Sequence, residues 1–110
     1  MKLLIVGSRK IENFDLSAHI PKDTELIISG GAKGIDALAE KYADEHHLSK
    51  LILRPRYELY GKAAPLKRNE QMVDFADAVL IIWNQESKGT KYTLDYAQKH
   101  GKPVTLILYT

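Results

Sequence analysis

The sequence has no cysteine, and only four prolines and seven glycines occur among its 110 residues. Without cysteine the chain can form neither a disulfide nor a metal site built on thiolates. This absence suits a reducing compartment, and we expect the protein to be cytoplasmic. Hydrophobic residues make up 45% of the chain and charged residues 27%, which is typical of an ordinary globular domain.

Long hydrophobic runs are also absent. The apolar stretch 78–83 falls far short of the ~20 residues that a membrane-spanning helix needs. The apolar part of the N-terminal segment 1–9 is likewise too short for a signal peptide. We therefore expect no association with a membrane. The length suits one domain with a core of its own, so we predict a single domain over 1–110.

Neither sign of charge dominates, because 16 basic residues face 14 acidic ones and the formal net charge is +2. This balance does not by itself indicate a nucleic-acid partner, although a local basic patch stays open. No histidine has a carboxylate or a second histidine at a ligand-like spacing, so we predict no metal site. No pair of nucleophile and base is evident, and we predict no catalytic residue.

Five short apolar runs do stand out, and most are continuous rather than alternating. They occupy residues 3–6, 26–28, 51–53, 78–83 and 104–109. Continuous runs are typical of strands that are buried on both faces, as in a parallel sheet covered by helices. Segments with helical periodicity lie between them, which predicts a parallel α/β sheet. Residues 15–20 can form a short helix at most, and 54–65 reads as a long loop without a clear period.

A glycine-rich segment, S-G-G-A-K-G-I-D at 29–36, follows the second apolar run and opens a helical stretch. Glycine lets the backbone approach a ligand, and the first N–H groups of a helix have no partner inside it. Such a turn favours phosphate. The patterns G-x-G-x-x-G and G-x-x-x-x-G-K-[ST] are both absent, which argues against an ordinary dehydrogenase and a P-loop NTPase.

Polar residues follow each apolar run, and the carboxyl ends of parallel strands meet at one edge of the sheet. We therefore predict one ligand site there. Its candidate residues are Gly7, Ser8, Arg9, Ser29, Gly30, Gly31, Lys33, Gly34, Asp36, Tyr57, Arg68, Asn69, Ser87, Gly89 and Thr90.

The candidates have different expected roles. The two glycine segments would donate backbone N–H groups to phosphate, and Arg9 and Arg68 would add charge-assisted hydrogen bonds. Tyr57 or Tyr60 is a candidate to stack on a base, and Asp36 is a candidate to contact a ribose or base. Structural alternatives remain open for each group: the glycines can serve close packing, and Ser87 can serve as a helix cap.

These motifs resemble the SLOG superfamily, in particular its small YspA and cpYpsA-related members. The resemblance spans nearly the whole chain in order. It rests on Gly7-Ser8-Arg9, the segment 29–39, residues 60–64, Arg68-Asn69 and Gly89-Thr90. It implies a Rossmann-like three-layer sandwich, with a five-stranded parallel sheet in the order 3-2-1-4-5 and helices on both faces. It also implies binding or sensing of a nucleotide or nucleotide-derived ligand, without an obligatory cofactor.

Two groups of relatives imply alternative functions. The DNA-processing protein DprA carries a similar S-G-x-A-R-G-I-D segment and a later R-N, and it binds single-stranded DNA; Lys33 here replaces the arginine. The LOG enzymes are phosphoribohydrolases with a P-G-G-x-G-T-x-x-E motif. Gly89-Thr90 matches that motif, but Thr93 replaces its glutamate, the group that would stabilise charge on the sugar or position water. The candidate carboxylates for such a hydrolysis are then Asp36, Glu58 and Glu70. A homodimer is possible by analogy with the LOG relatives.

Overall fold

Five parallel strands form one sheet at the centre of the computed structural model, which describes residues 1–110. The strands are β1 Lys2–Gly7, β2 Leu26–Ser29, β3 Ser49–Ile52, β4 Ala78–Trp83 and β5 Val104–Leu108. The helices are α1 Ile35–Glu45, α2 Tyr57–Tyr60, α3 Ala64–Phe75 and α4 Lys88–Lys99, with 3₁₀ turns at Ser17–His19 and Gly61–Ala63.

The strand order is β3-β2-β1-β4-β5, and every neighbouring pair is parallel. The two central strands, β1 and β4, have the longest continuous apolar runs, and their middle residues are buried on both faces. This burial is why their side chains do not alternate between apolar and polar. The predicted α/β class, the strand order and the three-layer arrangement are confirmed.

Two separate apolar clusters fill the space between the sheet and its outer layers. On one face, α1 and the segment before β2 cover Leu3, Ile5 and Ile27. On the other face, α3 and α4 cover Leu4, Ile28 and their neighbours. Successive residues of a strand point to opposite faces, so β1 contributes to both clusters.

The prediction of an irregular loop over 54–65 is wrong in part. The segment contains the single-turn helix α2 and a 3₁₀ turn, and α3 already begins at Ala64. Pro65 lies in the first turn of α3, where its missing N–H leaves no helix bond unmade. Neither α2 nor the 3₁₀ turn Gly61–Ala63 buries a residue, so this part of the sequence has no apolar period.

Two tyrosine–carboxylate hydrogen bonds join α3 to α4. The hydroxyl of Tyr92 donates to Glu70, and that of Tyr96 donates to Asp74 at 2.8 Å. The hydrogen bond to Asp74 raises the pKa of Tyr96 to about 12, because ionisation of the phenol would lose it. These bonds fix α3 against α4, and both helices contribute to the site described below. None of the helices has the length and apolar character required to cross a membrane.

Candidate functional site

A cavity of about 100 Å³, here the inner cavity, lies where the carboxyl ends of the central strands meet the starts of α1 and α4. Eight predicted site residues line it: Gly7, Arg9, Asp36, Arg68, Asn69, Ser87, Gly89 and Thr90. The structure thus brings together residues from four separate segments of the chain, as expected for the edge of a parallel sheet.

Two glycines allow the end of β1 and the start of α1 to lie very close together. A Cβ on Gly7 would lie 2.4 Å from Ile35 and 2.6 Å from the carbonyl oxygen of Ile82. Gly34 has a φ of +71°, and a Cβ there would lie 2.5 Å from the carbonyl oxygen of Ser8. Any other residue at these positions would push α1 away from β1, so both glycines shape the cavity wall.

Arg68 holds the glycine loop in place from α3. Its Nη1 donates to the carbonyl oxygen of Gly30 at 2.8 Å and to that of Leu53 at 3.1 Å. Its Nε donates to Oδ1 of Asn69 at 2.8 Å. The Nη2 group has no partner within the protein, so the guanidinium keeps two donors for a ligand.

Asp36 is the single carboxylate that lines the inner cavity, and only 7% of its surface is exposed. Burial raises the pKa of Asp36 above its ordinary value, while the N–H of Ala32 and the charge of Arg68 act in the opposite direction. The Ala32 N–H donates to Oδ2 at 3.2 Å. The side chain is therefore fixed, and it presents a carboxyl group that holds its proton more tightly than an exposed aspartate does.

The loop before α4 is held by its own hydrogen bonds. Oδ1 of Asn84 accepts from the N–H groups of Glu86 and Ser87, at 2.9 and 3.2 Å. Nε1 of Trp83 donates to the carbonyl oxygen of Ser87 at 3.1 Å, and Oγ of Ser87 caps the helix by accepting from the N–H of Thr90. The cap leaves the N–H of Gly89, one residue earlier, without a partner.

A second cavity of about 210 Å³, here the outer cavity, adjoins the first and shares Arg9 and Ser87 with it. Its other lining residues are Ser8, Lys10, Asn84 and Glu86, and none is apolar. The guanidinium of Arg9 is exposed and makes no hydrogen bond or ion pair with the protein. An unpaired cation thus lies at the boundary between the two cavities.

Several predicted residues lie outside the inner cavity. Ser8 lines only the outer cavity, and it is buried, with Oγ accepting from the N–H of Asn84 at 3.1 Å. Ser29 is fully buried; its Oγ donates to Glu40 at 3.2 Å and accepts from the N–H of Gly31. These hydroxyls hold loops rather than facing open space.

The remaining predicted residues shape or flank the site. Gly30, Gly31 and Gly34 form the loop behind the cavity wall, and they do not line the cavity. Lys33 is exposed to solvent, and Tyr57 is 60% exposed at the start of α2.

Six lining residues were not among the sequence candidates: Val6, Ala32 and Met72 in the inner cavity and Lys10, Asn84 and Glu86 in the outer one. Met72 follows Arg68 by one helical turn, so the helix period carries a signal for it. The others are chain neighbours of predicted residues, or end a strand. Which of these side chains line a cavity depends on the loop conformations, and the sequence does not specify these conformations.

Three further residues are relevant to the hydrolase alternative: Thr93, which replaces the glutamate of the LOG motif, and the two carboxylates Glu58 and Glu70. Thr93 is fully buried, and its Oγ1 donates to the carbonyl oxygen of Gly89 at 3.0 Å. Glu58 is exposed and pairs with Arg56 at 2.6 Å, while Glu70 accepts from Tyr92. Neither glutamate lines the inner cavity, so Asp36 has no second carboxylate opposite it.

The fold and the cavities define a parallel five-stranded α/β protein with a cleft at the carboxyl edge of its sheet. The charged residues of this cleft are Arg9, Lys10 and Arg68 together with Asp36 and Glu86. Over 85 residues the chain is 33% identical to the Gene 61 protein of Mycobacterium phage D29, covering 72% of this chain and 68% of that protein. The chain belongs to the family of this Gene 61 protein. No family model matches the sequence, and no solved structure matches it.

Proposed function

We propose that the chain binds a nucleotide or nucleotide-derived ligand in the two adjoining cavities. The observation that carries the proposal is that two unpaired donors line the inner cavity. They are the guanidinium of Arg9, which also lines the outer cavity, and the N–H of Gly89. Charge-assisted hydrogen bonds from arginine and N–H groups at a helix start are the donors that phosphate prefers. The resemblance to SLOG domains supports the same ligand class.

The sizes and linings of the cavities suggest how such a ligand divides between them. Neither cavity alone reaches the ~300 Å³ at which pockets for drug-sized ligands begin, but the two together do. We place the phosphate at their boundary, against Arg9 and Gly89. Asp36 then faces a hydroxyl or amino group of the ligand, because a buried carboxyl next to a phosphate would be unfavourable if both were ionised.

Thermal unfolding tests this proposal. AMP and ADP-ribose should raise the Tm, since a ligand that binds only the folded state at a hundred times its Kd stabilises it by about 2.7 kcal/mol. Adenosine, which lacks the phosphate, is the matched ligand control and should have a much smaller effect. A panel of mononucleotides, dinucleotides and ADP-ribose that leaves the Tm of a cooperatively unfolding sample unchanged would overturn the proposal.

Two variants that each remove one positive charge test whether the nucleotide binds in these cavities. Arg9→Gln removes an exposed cation that makes no hydrogen bond or ion pair, so it should weaken nucleotide binding about tenfold without changing Tm in the absence of ligand. Lys22→Gln removes an exposed cation away from both cavities and should leave binding unchanged. Equal losses in both variants would indicate nonspecific attraction of charge.

Cleavage of an N-glycosidic bond is a second candidate function, and the position of Asp36 favours it. A carboxyl group whose pKa is raised by burial can act as a general acid toward a departing base, while water adds to the sugar carbon that the base leaves. Incubation with AMP would then release adenine, detectable by chromatography, and Asp36→Asn would abolish the release. Full recovery of intact AMP would exclude cleavage of this substrate and leave the binding proposal untouched.

A further inference from the structure

A third cavity of about 400 Å³ lies beside the edge strand β3, and it shares no lining residue with the inner or outer cavity. We call it the β3 cavity. Residues of β3 and of the segment after it form its floor, α2 forms one wall, and Gln71 of α3 closes it. Its volume lies within the range of roughly 300–1,000 Å³ that is typical of pockets for small organic ligands.

The apolar lining of the β3 cavity includes two large side chains of α2 that the core does not use, although Leu51 and Leu53 also pack against the core. Five of the eight lining residues are hydrophobic, including Leu59 and Tyr60 of α2. Leu59 is 60% exposed and Tyr60 is 39% exposed, and α2 buries no residue at all. Neither side chain belongs to the apolar clusters on the two faces of the sheet. Large apolar side chains that are grouped at a concave surface and unused by the core are typical of binding sites.

The charged residues that line the β3 cavity are both arginines, and one of them, Arg56, is ion-paired with Glu58 beside the cavity. Arg54 and Arg56 line the β3 cavity, and no acidic residue does. Arg54 uses Nη1 for a single long hydrogen bond, 3.3 Å, to the carbonyl oxygen of Gly31, which leaves most of its donors free. Nε of Arg56 pairs with Glu58, but both of its terminal nitrogens have no partner. An apolar floor with a cationic rim complements a ligand that has an apolar body and an anionic end.

We propose that the β3 cavity binds a small amphipathic anion, an aryl or acyl group that carries a carboxylate, sulfonate or phosphate. The apolar body lies against Leu59, Tyr60 and the side chains of β3, and the anionic group meets Arg54 and Arg56. Gln71 supplies a further polar group among the lining residues, which matches the usual composition of a ligand pocket. This site is independent of the nucleotide site proposed above.

Anilinonaphthalene sulfonate is a suitable probe, because its fluorescence rises on transfer to an apolar environment. We expect saturable binding of one equivalent to the folded chain. Phenylnaphthylamine, the matched probe without the sulfonate, should bind about tenfold more weakly, as expected for the loss of charge-assisted hydrogen bonds. AMP should not displace the sulfonate probe, because the cavities share no residue.

Substitutions test whether the sulfonate probe binds in the β3 cavity. Leu59→Ser and Arg56→Gln alter exposed side chains that the core does not need, and each should weaken binding of the sulfonate about tenfold. Leu106→Ser changes a leucine that is 40% exposed on the opposite edge strand and should have no effect. The proposal is overturned if the wild-type chain does not bind the probe, if the neutral probe binds equally well, if AMP displaces it, or if Leu59→Ser binds like Leu106→Ser.

Discussion

Arg68 on α3 donates to the carbonyl oxygen of Gly30 at 2.8 Å, across a separation of 38 residues in the sequence. The same Nη1 also reaches the carbonyl oxygen of Leu53. One side chain thus ties together the loops that follow β2 and β3, and it still faces the inner cavity. Arg68 therefore holds the site in shape before any ligand arrives, and its contribution to stability can be measured apart from its contribution to binding.

Replacing Arg68 should destabilise the fold. Arg68→Ala leaves two backbone carbonyls without their donor, which we expect to lower the free energy of unfolding by roughly 1–3 kcal/mol. Lys67→Ala, the neighbouring exposed cation with only a 3.8 Å ion pair, should stay within about 0.5 kcal/mol of wild type. Urea denaturation measures both variants. Equal small effects would mean that the carbonyls are satisfied by water when the arginine is removed.

Two glycine substitutions should have opposite effects on stability. A Cβ at Gly34 meets the carbonyl oxygen of Ser8 at 2.5 Å in a backbone with φ of +71°, so Gly34→Ala should destabilise by more than about 2 kcal/mol. A Cβ at Gly89 meets nothing within 4 Å on helix α4, so Gly89→Ala should stabilise by up to about 1 kcal/mol. Thermal unfolding of the two variants gives the comparison, and a destabilising Gly89→Ala would contradict it.

The sequence predicted the sheet well because β1 and β4 are buried on both faces, and complete burial leaves an uninterrupted apolar run. It failed at α2, where a single turn that buries nothing has no period. The position of polar residues at strand ends was sufficient to predict that Arg9, Asp36 and Thr90 meet.

Side-chain direction could not be predicted in the same way. The hydroxyl of Ser29 donates to Glu40, eleven residues later in the sequence. This hydrogen bond forms only when α1 packs on the sheet. Lys33 lies within the glycine segment yet is exposed to solvent. Both depend on the path of a loop with positive φ values at Gly31 and Gly34, which sequence spacing does not specify.

Asp36 should make stability depend on pH. Burial raises the pKa of Asp36 in the folded state above its ordinary value of 3.8, so the folded chain binds this proton more tightly than the unfolded chain does. The contribution of this group to stability is then complete below its unfolded pKa and is lost as pH rises through the folded pKa. Asp36→Asn, which stays neutral, should therefore gain stability relative to wild type as pH increases from about 4 to 7. A Tm difference that is constant across this range would contradict the expectation.

Tyr96 should ionise later than an ordinary tyrosine. Its hydrogen bond to Asp74 raises its pKa to about 12, so the absorbance of tyrosinate should show a late step among the six tyrosines. Tyr96→Phe should remove that step. Asp74→Asn keeps the phenol but removes the charged acceptor, and it should shift the step toward the ordinary value of about 10. A late step that survives in both variants would have to be assigned elsewhere, for example to Tyr92.

A glutamate at position 93, where the LOG motif that Gly89-Thr90 resembles has one, should not supply a catalytic group. Thr93 is fully buried, and its Oγ1 bonds to the carbonyl oxygen of Gly89, so position 93 faces the interior of the protein. Thr93→Glu would bury a carboxylate without a partner and should destabilise by more than about 3 kcal/mol. Thr93→Val, which keeps the shape and loses one hydrogen bond, should cost only about 1 kcal/mol. Urea denaturation, followed by an assay for adenine release from AMP, tests both points. A stable, hydrolytic Thr93→Glu variant would show that this position can face the ligand, and would make cleavage a latent activity of this fold.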